Sequence, residues 1–140
     1  MRYSTLGFAA AICVVLAACS DGTGPRTILD TRIDRAVLDP AGNLSVSFTI
    51  TNIGTKPEDV PACGGQPGPR VQRQQGNRWE EFAGGQCLAI YSMVPISLHP
   101  GASISGSADV FRAGPGVYRL VISYQLDGSP RAVSQPFTVN

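Results

Sequence analysis

Residues 44–51 read LSVSFTIT, a strict alternation of large apolar and small hydroxyl-bearing side chains. Side chains point to opposite faces of a β-strand in turn, so this period of two places one face in a core and the other in water. An α-helix repeats every 3.6 residues and would spread the four apolar side chains around its axis. The stretch therefore predicts a half-buried β-strand.

Clusters of glycine, proline and asparagine interrupt the remaining sequence at short intervals, and each cluster predicts a turn. They occupy positions 39–43, 76–77, 99–101, 113–116 and 127–130. The segments between them are short, and none carries helix-capping signals. The first strand is predicted over residues 27–38, with Ile28, Ile33 and Val37 as its apolar positions. About seven to nine strands separated by such turns predict an all-β fold, a sandwich or a barrel.

Residues 117–126 form the second clear alternation, and one face carries Tyr118, Leu120, Ile122 and Tyr124. Tyr118 follows a turn near the start of this strand. That is the position of a tyrosine corner, in which the phenol hydroxyl bonds to backbone a few residues upstream. A plain core tyrosine is the alternative interpretation.

Gly76 and Asn77 form a two-residue hairpin signal between two polar segments. The simple register places Arg73 opposite Glu80 and Val71 opposite Phe82. The arginines near this hairpin are therefore interpreted as partners in strand pairing rather than as an anion site. In contrast, the glycines and prolines of residues 63–69 argue against regular structure there.

The chain begins with a short apolar run that ends in Leu16-Ala17-Ala18-Cys19. The run is too short to cross a membrane, which takes about 20 residues, and it follows a single positive charge as in a secretory signal. The four residues resemble a bacterial lipobox. That resemblance implies cleavage after Ala18 and lipid (palmitate and related acyl chains) on Cys19. An ordinary signal peptide cut near Ala18 is the alternative.

These features predict three regions: a removed lipoprotein signal peptide (1–18), a lipidated cysteine with a short polar linker (19–26), and one β-domain (27–140). Ser20 rather than aspartate follows the cysteine, which by resemblance to the sorting rule of two-membrane bacteria favours the outer over the inner membrane. Arg2 leaves with the signal, so 10 of the 11 basic residues remain against 10 acids. A neutral domain lacks the basic footprint of a nucleic-acid-binding protein.

Cys63 and Cys87 are the two further cysteines of the exported part. A pair in an exported chain predicts a disulfide bond, and two buried free thiols are the alternative. Neither cysteine has a nearby Cys-x-x-Cys or histidine pair, so no metal site is predicted.

Several turn and core motifs together form a familiar series. They are Phe48-x-Ile50-x-Asn52-x-Gly54, Gly76-Asn77-x-Trp79, Leu98-His99-Pro100-Gly101-x-Ser103 and Pro115-Gly116-x-Tyr118. The series resembles immunoglobulin-like domains of bacterial envelope lipoproteins, and its layout is similar to the intracellular proteinase inhibitor family of bacilli. The resemblance implies an immunoglobulin-like antiparallel β-sandwich. This chain departs from the inhibitor family in its export signal and its cysteine pair.

The sequence shows no set of residues in a pattern typical of a catalytic site. The single histidine, His99, lies in a Pro-Gly turn, and adjacent acids such as Glu80 and Glu81 point to opposite faces of a strand. No glycine-rich loop precedes a helix, as a phosphate site would require. We therefore expect no enzymatic activity and no cofactor.

Recognition is the remaining role. The first hypothesis is a membrane-anchored, non-catalytic module that binds an envelope protein or ligand or serves assembly, with Gln66, Trp79 and Tyr91 as candidate contacts near the proposed bridge. Trp79 packed in the core is the alternative for that residue. The second hypothesis is a protease inhibitor that presents the loop from Cys63 to Pro69. A disulfide bond and prolines would reduce the conformational entropy that this loop loses on binding.

Overall fold

The computed structural model describes residues 28–84, 94–123 and 130–140, and these form strands and turns. Over these residues the all-β prediction is confirmed. No helix within the described ranges is long and apolar enough to cross a membrane. The predicted signal peptide, Cys19 and the linker lie outside the described residues.

Twelve strands occur in the described ranges, and seven of them have four residues or more. They are β1 (Leu29–Leu38), β2 (Leu44–Asn52), β3 (Glu58–Val60), β4 (Ala62–Cys63), β5 (Gln66–Pro67), β6 (Arg70–Gln75), β7 (Arg78–Gly84), β8 (Ile96–Leu98), β9 (Ser103–Val110), β10 (Gly116–Ser123), β11 (Pro130–Val133) and β12 (Phe137–Val139).

The longer strands form two antiparallel sheets. The first has the order β1-β2-β9, and the second has the order β11-β10-β6-β7, with β12 also paired to β10. Two short ladders, β3-β8 and β4-β5, complete the described structure.

A single hydrophobic cluster joins the two sheets. The four apolar side chains of β2, at 44, 46, 48 and 50, are at most 1% exposed, as their alternation predicts. Val71, Tyr118, Leu120 and Ile122 of the second sheet belong to the same cluster. On the other face of β10, Val121 and Ser123 are buried as well, which the alternation does not predict. Tyr124 lies outside the described residues.

A bulge in β1 changes which of its side chains face the core. The pairing with β2 shifts register between Ile33 and Arg35, so Asp34 is the extra residue. Ile33 packs on the core, but beyond the bulge the inward positions become Ala36 and Leu38. Val37, an apolar position of the predicted first strand, is therefore 40% exposed.

The β6-β7 hairpin turns at Gly76 and Asn77 as predicted. Arg73 lies opposite Glu80, which confirms half of the predicted register. Val71 lies opposite Ala83 rather than Phe82, because the ladder shifts between Val71 and Gln72.

Residues 63–69 contain more order than their composition predicts. Ala62 and Cys63 pair with Pro67 and Gln66 in a two-residue ladder. Gly64 and Gly65 have φ values of 60° and 79°, the left-handed conformation that a tight hairpin turn of this kind needs. The expectation of no regular structure in this segment is therefore wrong.

Candidate functional site

Trp79 and Arg119 form a cation–π pair on the outer face of the second sheet. Arg119 in β10 lies opposite Gln72 in β6, and Trp79 in β7 lies opposite Gln74 two residues further along β6. The side chain of Arg119 crosses β6 and places its guanidinium carbon 4.4 Å from the centroid of the Trp79 ring. A cation at this distance is attracted by the electron-rich face of the indole.

Gln72 fixes the orientation of this guanidinium. Its Oε1 accepts a hydrogen bond of 2.8 Å from Nε of Arg119. Burial lowers the pKa of Arg119, but a guanidinium keeps its charge in proteins. The pair is thus a cation over an aromatic ring, positioned by one hydrogen bond. Trp79, Arg119 and Gln72 are called the Trp79 surface below.

The Trp79 surface continues toward Arg70 and Glu81. The Nη1 atom of Arg70 lies 2.9 Å from Oε2 of Glu81, which is itself opposite Gln72 in the ladder. Nε of Arg70 is buried and has no hydrogen-bond partner. Arg119 uses Nε for Gln72, so its two terminal nitrogens can donate to a carboxylate or carbonyl on another molecule. The surface therefore offers an aromatic face, amides and a fixed cation.

Trp79 is half-buried, and it is not a member of the core cluster formed by the described residues. Its place is the outer sheet face rather than the interior. The sequence alternation contains a signal for its neighbour: Arg119 alternates with Tyr118 and Leu120 and so falls on the outer face. The pairing of Arg119 with Trp79 was not predicted, because it depends on the register of three strands.

The other candidate contacts lie apart from the Trp79 surface or outside the described residues. Gln66 is exposed next to the β4-β5 turn, and the contacts described for it do not include Trp79. Cys63 is half-buried at the end of β4. Tyr91 and Cys87 lie outside the described residues, so a patch of Gln66, Trp79 and Tyr91 and a Cys63–Cys87 bond stay predictions.

The polar residues considered for catalysis are dispersed. His99 is exposed in a turn where its carbonyl accepts the N–H of Ala102. Glu80 lies opposite Arg73 and Glu81 opposite Gln72, on different faces of the sheet. In the part of the chain that is described, no three residues among His, Cys, Asp and Glu are grouped so that they could hold a metal ion.

The chain matches no family model and no curated protein sequence. Nine chains of solved structures match it. Two of them are β-glucosidase from Kluyveromyces marxianus, one in complex with glucose (15% identity, 82% of this chain, 14% of that chain) and one labelled with selenomethionine (14% identity, 82% of this chain, 15% of that chain). The TM-score is 0.44 in both cases. The chain thus spans about a seventh of each enzyme, and the similarity carries no argument about function.

Proposed function

We propose that this protein is a non-catalytic lipoprotein of the bacterial cell envelope. Its anchor is Cys19, and the membrane that holds it is the outer rather than the inner one. Its β-domain binds another envelope protein through the Trp79 surface. The observation that carries the proposal is the half-buried indole with a guanidinium 4.4 Å from its ring centroid on an outer sheet face. Tryptophan and arginine are the residues most enriched among the energetic centres of protein interfaces.

The proposed architecture is an immunoglobulin-like β-sandwich. Two features support it: two antiparallel sheets that share one core cluster, and the hydroxyl of Tyr118 bonded to the carbonyls of Ala113 and Gly114 upstream. The second is the hydrogen bond that defines a tyrosine corner.

The proposal includes a disulfide bond between Cys63 and Cys87. Its support is that both cysteines belong to the exported part of the chain, where a cysteine pair commonly forms a disulfide. Mass spectrometry of an unreduced digest tests the pairing. A peptide linking Cys63 to Cys87 is expected, and a link from Cys63 to any other cysteine contradicts it.

Labelling with palmitate tests the anchor. We expect the wild-type chain to take up label and sediment with membranes, and Cys19→Ser to lose both properties. Cys13→Ser is the matched control, because that residue would be removed with the signal peptide. A Cys19→Ser chain that keeps its label would overturn the anchoring proposal.

The binding role is tested by chemical crosslinking in intact envelopes. Arg119→Gln should remove the crosslinked products of the wild-type chain, whereas Arg32→Gln on the first sheet, with 73% of its side chain exposed, should keep them. Equal products from the two variants would overturn the assignment of binding to the Trp79 surface.

A protease inhibitor remains the second candidate, favoured by one feature. Gln66 is exposed beside a two-residue turn, while Pro67 and Pro69 are buried and hold the loop. Inhibition of envelope proteases that Gln66→Ala abolishes and Gln74→Ala leaves intact would support this candidate. Inhibition unaffected by Gln66→Ala would exclude the loop.

A further inference from the structure

The most exposed large apolar side chain in the described residues is Phe111, at 81%. It stands in the turn after β9, beside Val37, which is 40% exposed. The two side chains flank a groove of about 310 Å³. Ser45 lies between Val37 and Asp109 in the sheet, so the groove runs across the outer face of the first sheet.

The turn that carries Phe111 is held rigidly. The next residue, Arg112, has a φ of 54°, a left-handed conformation that is costly for a residue other than glycine. Its backbone N–H donates to Oδ1 of Asn43 at 3.1 Å, and the N–H of Gly114 donates to the carbonyl of Gly42 at 3.1 Å. The backbone that carries Phe111 is thus already ordered, which lowers the cost of ordering it when a partner binds.

Two carboxylates, those of Asp39 and Asp109, line the same groove. Asp39 accepts hydrogen bonds from the backbone N–H of Asn43 at 2.8 Å and from its Nδ2 at 2.9 Å. These bonds fix the Asp39 carboxylate at the rim. No ion pair between either aspartate and an arginine occurs among the described residues. Apolar walls with two negative charges complement a long side chain that ends in a cation.

We propose that this groove docks a partner protein that inserts one arginine side chain between Val37 and Phe111, with its guanidinium on the carboxylates of Asp39 and Asp109. Arginine fits better than lysine because its planar group stacks on an aromatic ring and bonds a carboxylate through two donors. The groove lies on a different sheet from the Trp79 surface, and it requires neither that surface nor the lipid anchor.

Saturation-transfer NMR with the full chain tests the proposal. The probe is acetyl-Gly-Arg-Gly-amide, and its control is the same peptide with citrulline, a neutral group of nearly the same shape. The peptide concentration is about 10 mM, which suits fragments that bind weakly. We expect saturation transfer to the arginine methylenes and about fivefold less transfer to the citrulline peptide. Equal transfer to both peptides, or none to either, would overturn the proposal.

Two variants locate the signal. Phe111→Ser and Asp109→Asn change exposed side chains, so the fold should persist, and each should reduce the arginine signal about fivefold. Ile53→Ser is the matched control, because Ile53 is 63% exposed at the end of β2 opposite to this groove. A signal unchanged by both groove variants contradicts the proposal. A chain that takes up no palmitate but keeps the arginine signal would count against the anchor while supporting this site.

Discussion

The hydroxyl of Tyr118 lies 2.6 Å from the carbonyl oxygen of Ala113, five residues earlier in the chain. It also lies 2.9 Å from the carbonyl oxygen of Gly114. Both Tyr118 and Ala113 are at most 1% exposed, so water cannot replace the hydroxyl as a partner of the Ala113 carbonyl. One side chain thus ties the turn after β9 to β10, close to the groove beside Phe111.

Tyr118→Phe removes this hydroxyl and should lower the free energy of unfolding by about 1–2 kcal/mol, the cost of leaving a buried carbonyl with poorer partners. Nη1 of Arg73 still donates to the carbonyl of Ala113 at 3.3 Å, which limits the loss. Urea denaturation gives the value. Ser105→Ala is the control, because it removes an exposed hydroxyl. Equal stability of the two variants would show that the Tyr118 hydroxyl does not hold the turn.

The same hydroxyl makes stability depend on alkaline pH. Burial raises the pKa of Tyr118 above its ordinary value of 10.0. The folded chain therefore keeps this proton to a higher pH than the unfolded chain. Its contribution to stability is complete below the unfolded pKa and is lost as pH rises through the folded pKa. Denaturation curves in that alkaline range should show a decline for the wild type that is smaller for Tyr118→Phe. An identical decline in both would contradict this.

Asn52 is fully buried and hydrogen-bonds three backbone groups, two in the loop after β2 and one in β8. Its Nδ2 donates to the carbonyls of Lys56 and Leu98, each at 2.8 Å, and its Oδ1 accepts the N–H of Gly54. Asn52→Asp should cost about 3 kcal/mol or more at neutral pH, because a carboxylate cannot donate and leaves two carbonyls unpaired.

A buried carboxyl at position 52 would have a raised pKa, so the Asn52→Asp variant should be least damaged at acid pH and lose stability as pH rises. Urea denaturation at acid and neutral pH gives the comparison. Asn77→Asp, exposed in the β6-β7 turn, is the matched control. A loss that does not grow with pH would contradict the role of the lost donors.

The alternation of β2 and the Gly76-Asn77 turn were sufficient to predict those elements because both signals are local. The features that the sequence did not predict arise from interactions between distant segments. The sequence marks Val37 only as an apolar position of the first strand, and a regular strand would place it on the same face as Ile33. The bulge at Asp34 reverses the later positions, and it is stabilised across the sheet, where Thr49 donates to Oδ2 of Asp34 at 2.7 Å.

The two surfaces show the same limit. Trp79 was named from its residue type and neighbourhood, but its partner Arg119 lies forty positions later and meets it only through the register of β6. Phe111 follows the last buried position of β9 and so continues the exposed face of that strand, but the left-handed conformation of Arg112, which no glycine marks in the sequence, was not predicted. Individual strands were therefore predictable, and contacts across them were not.

A buried hydroxyl lies in the break between β11 and β12. Oγ of Ser134, which is 4% exposed, accepts the backbone N–H of Leu120 at 2.9 Å. The hydroxyl thus accepts the hydrogen bond that a backbone carbonyl would accept in a continuous strand. Ser134→Ala should therefore lower the free energy of unfolding by about 1–3 kcal/mol, the cost of a buried N–H without a partner. Denaturation and amide exchange at Leu120 measure the effect, with exposed Ser97→Ala as control. Unchanged exchange at Leu120 would contradict it.

Arg119→Lys separates the shape of the cation above Trp79 from its charge. Lysine keeps the charge but loses the planar stacking and the Nε–H that donates to Gln72. Acrylamide should therefore quench the variant's fluorescence more strongly, and the signal is unambiguous because Trp79 is the only tryptophan. Stability should fall by no more than about 1 kcal/mol, the usual worth of an exposed cation–π contact. Arg32→Lys, on the other sheet, should leave quenching unchanged. Equal quenching of the two variants would mean that the guanidinium does not cover the indole in solution.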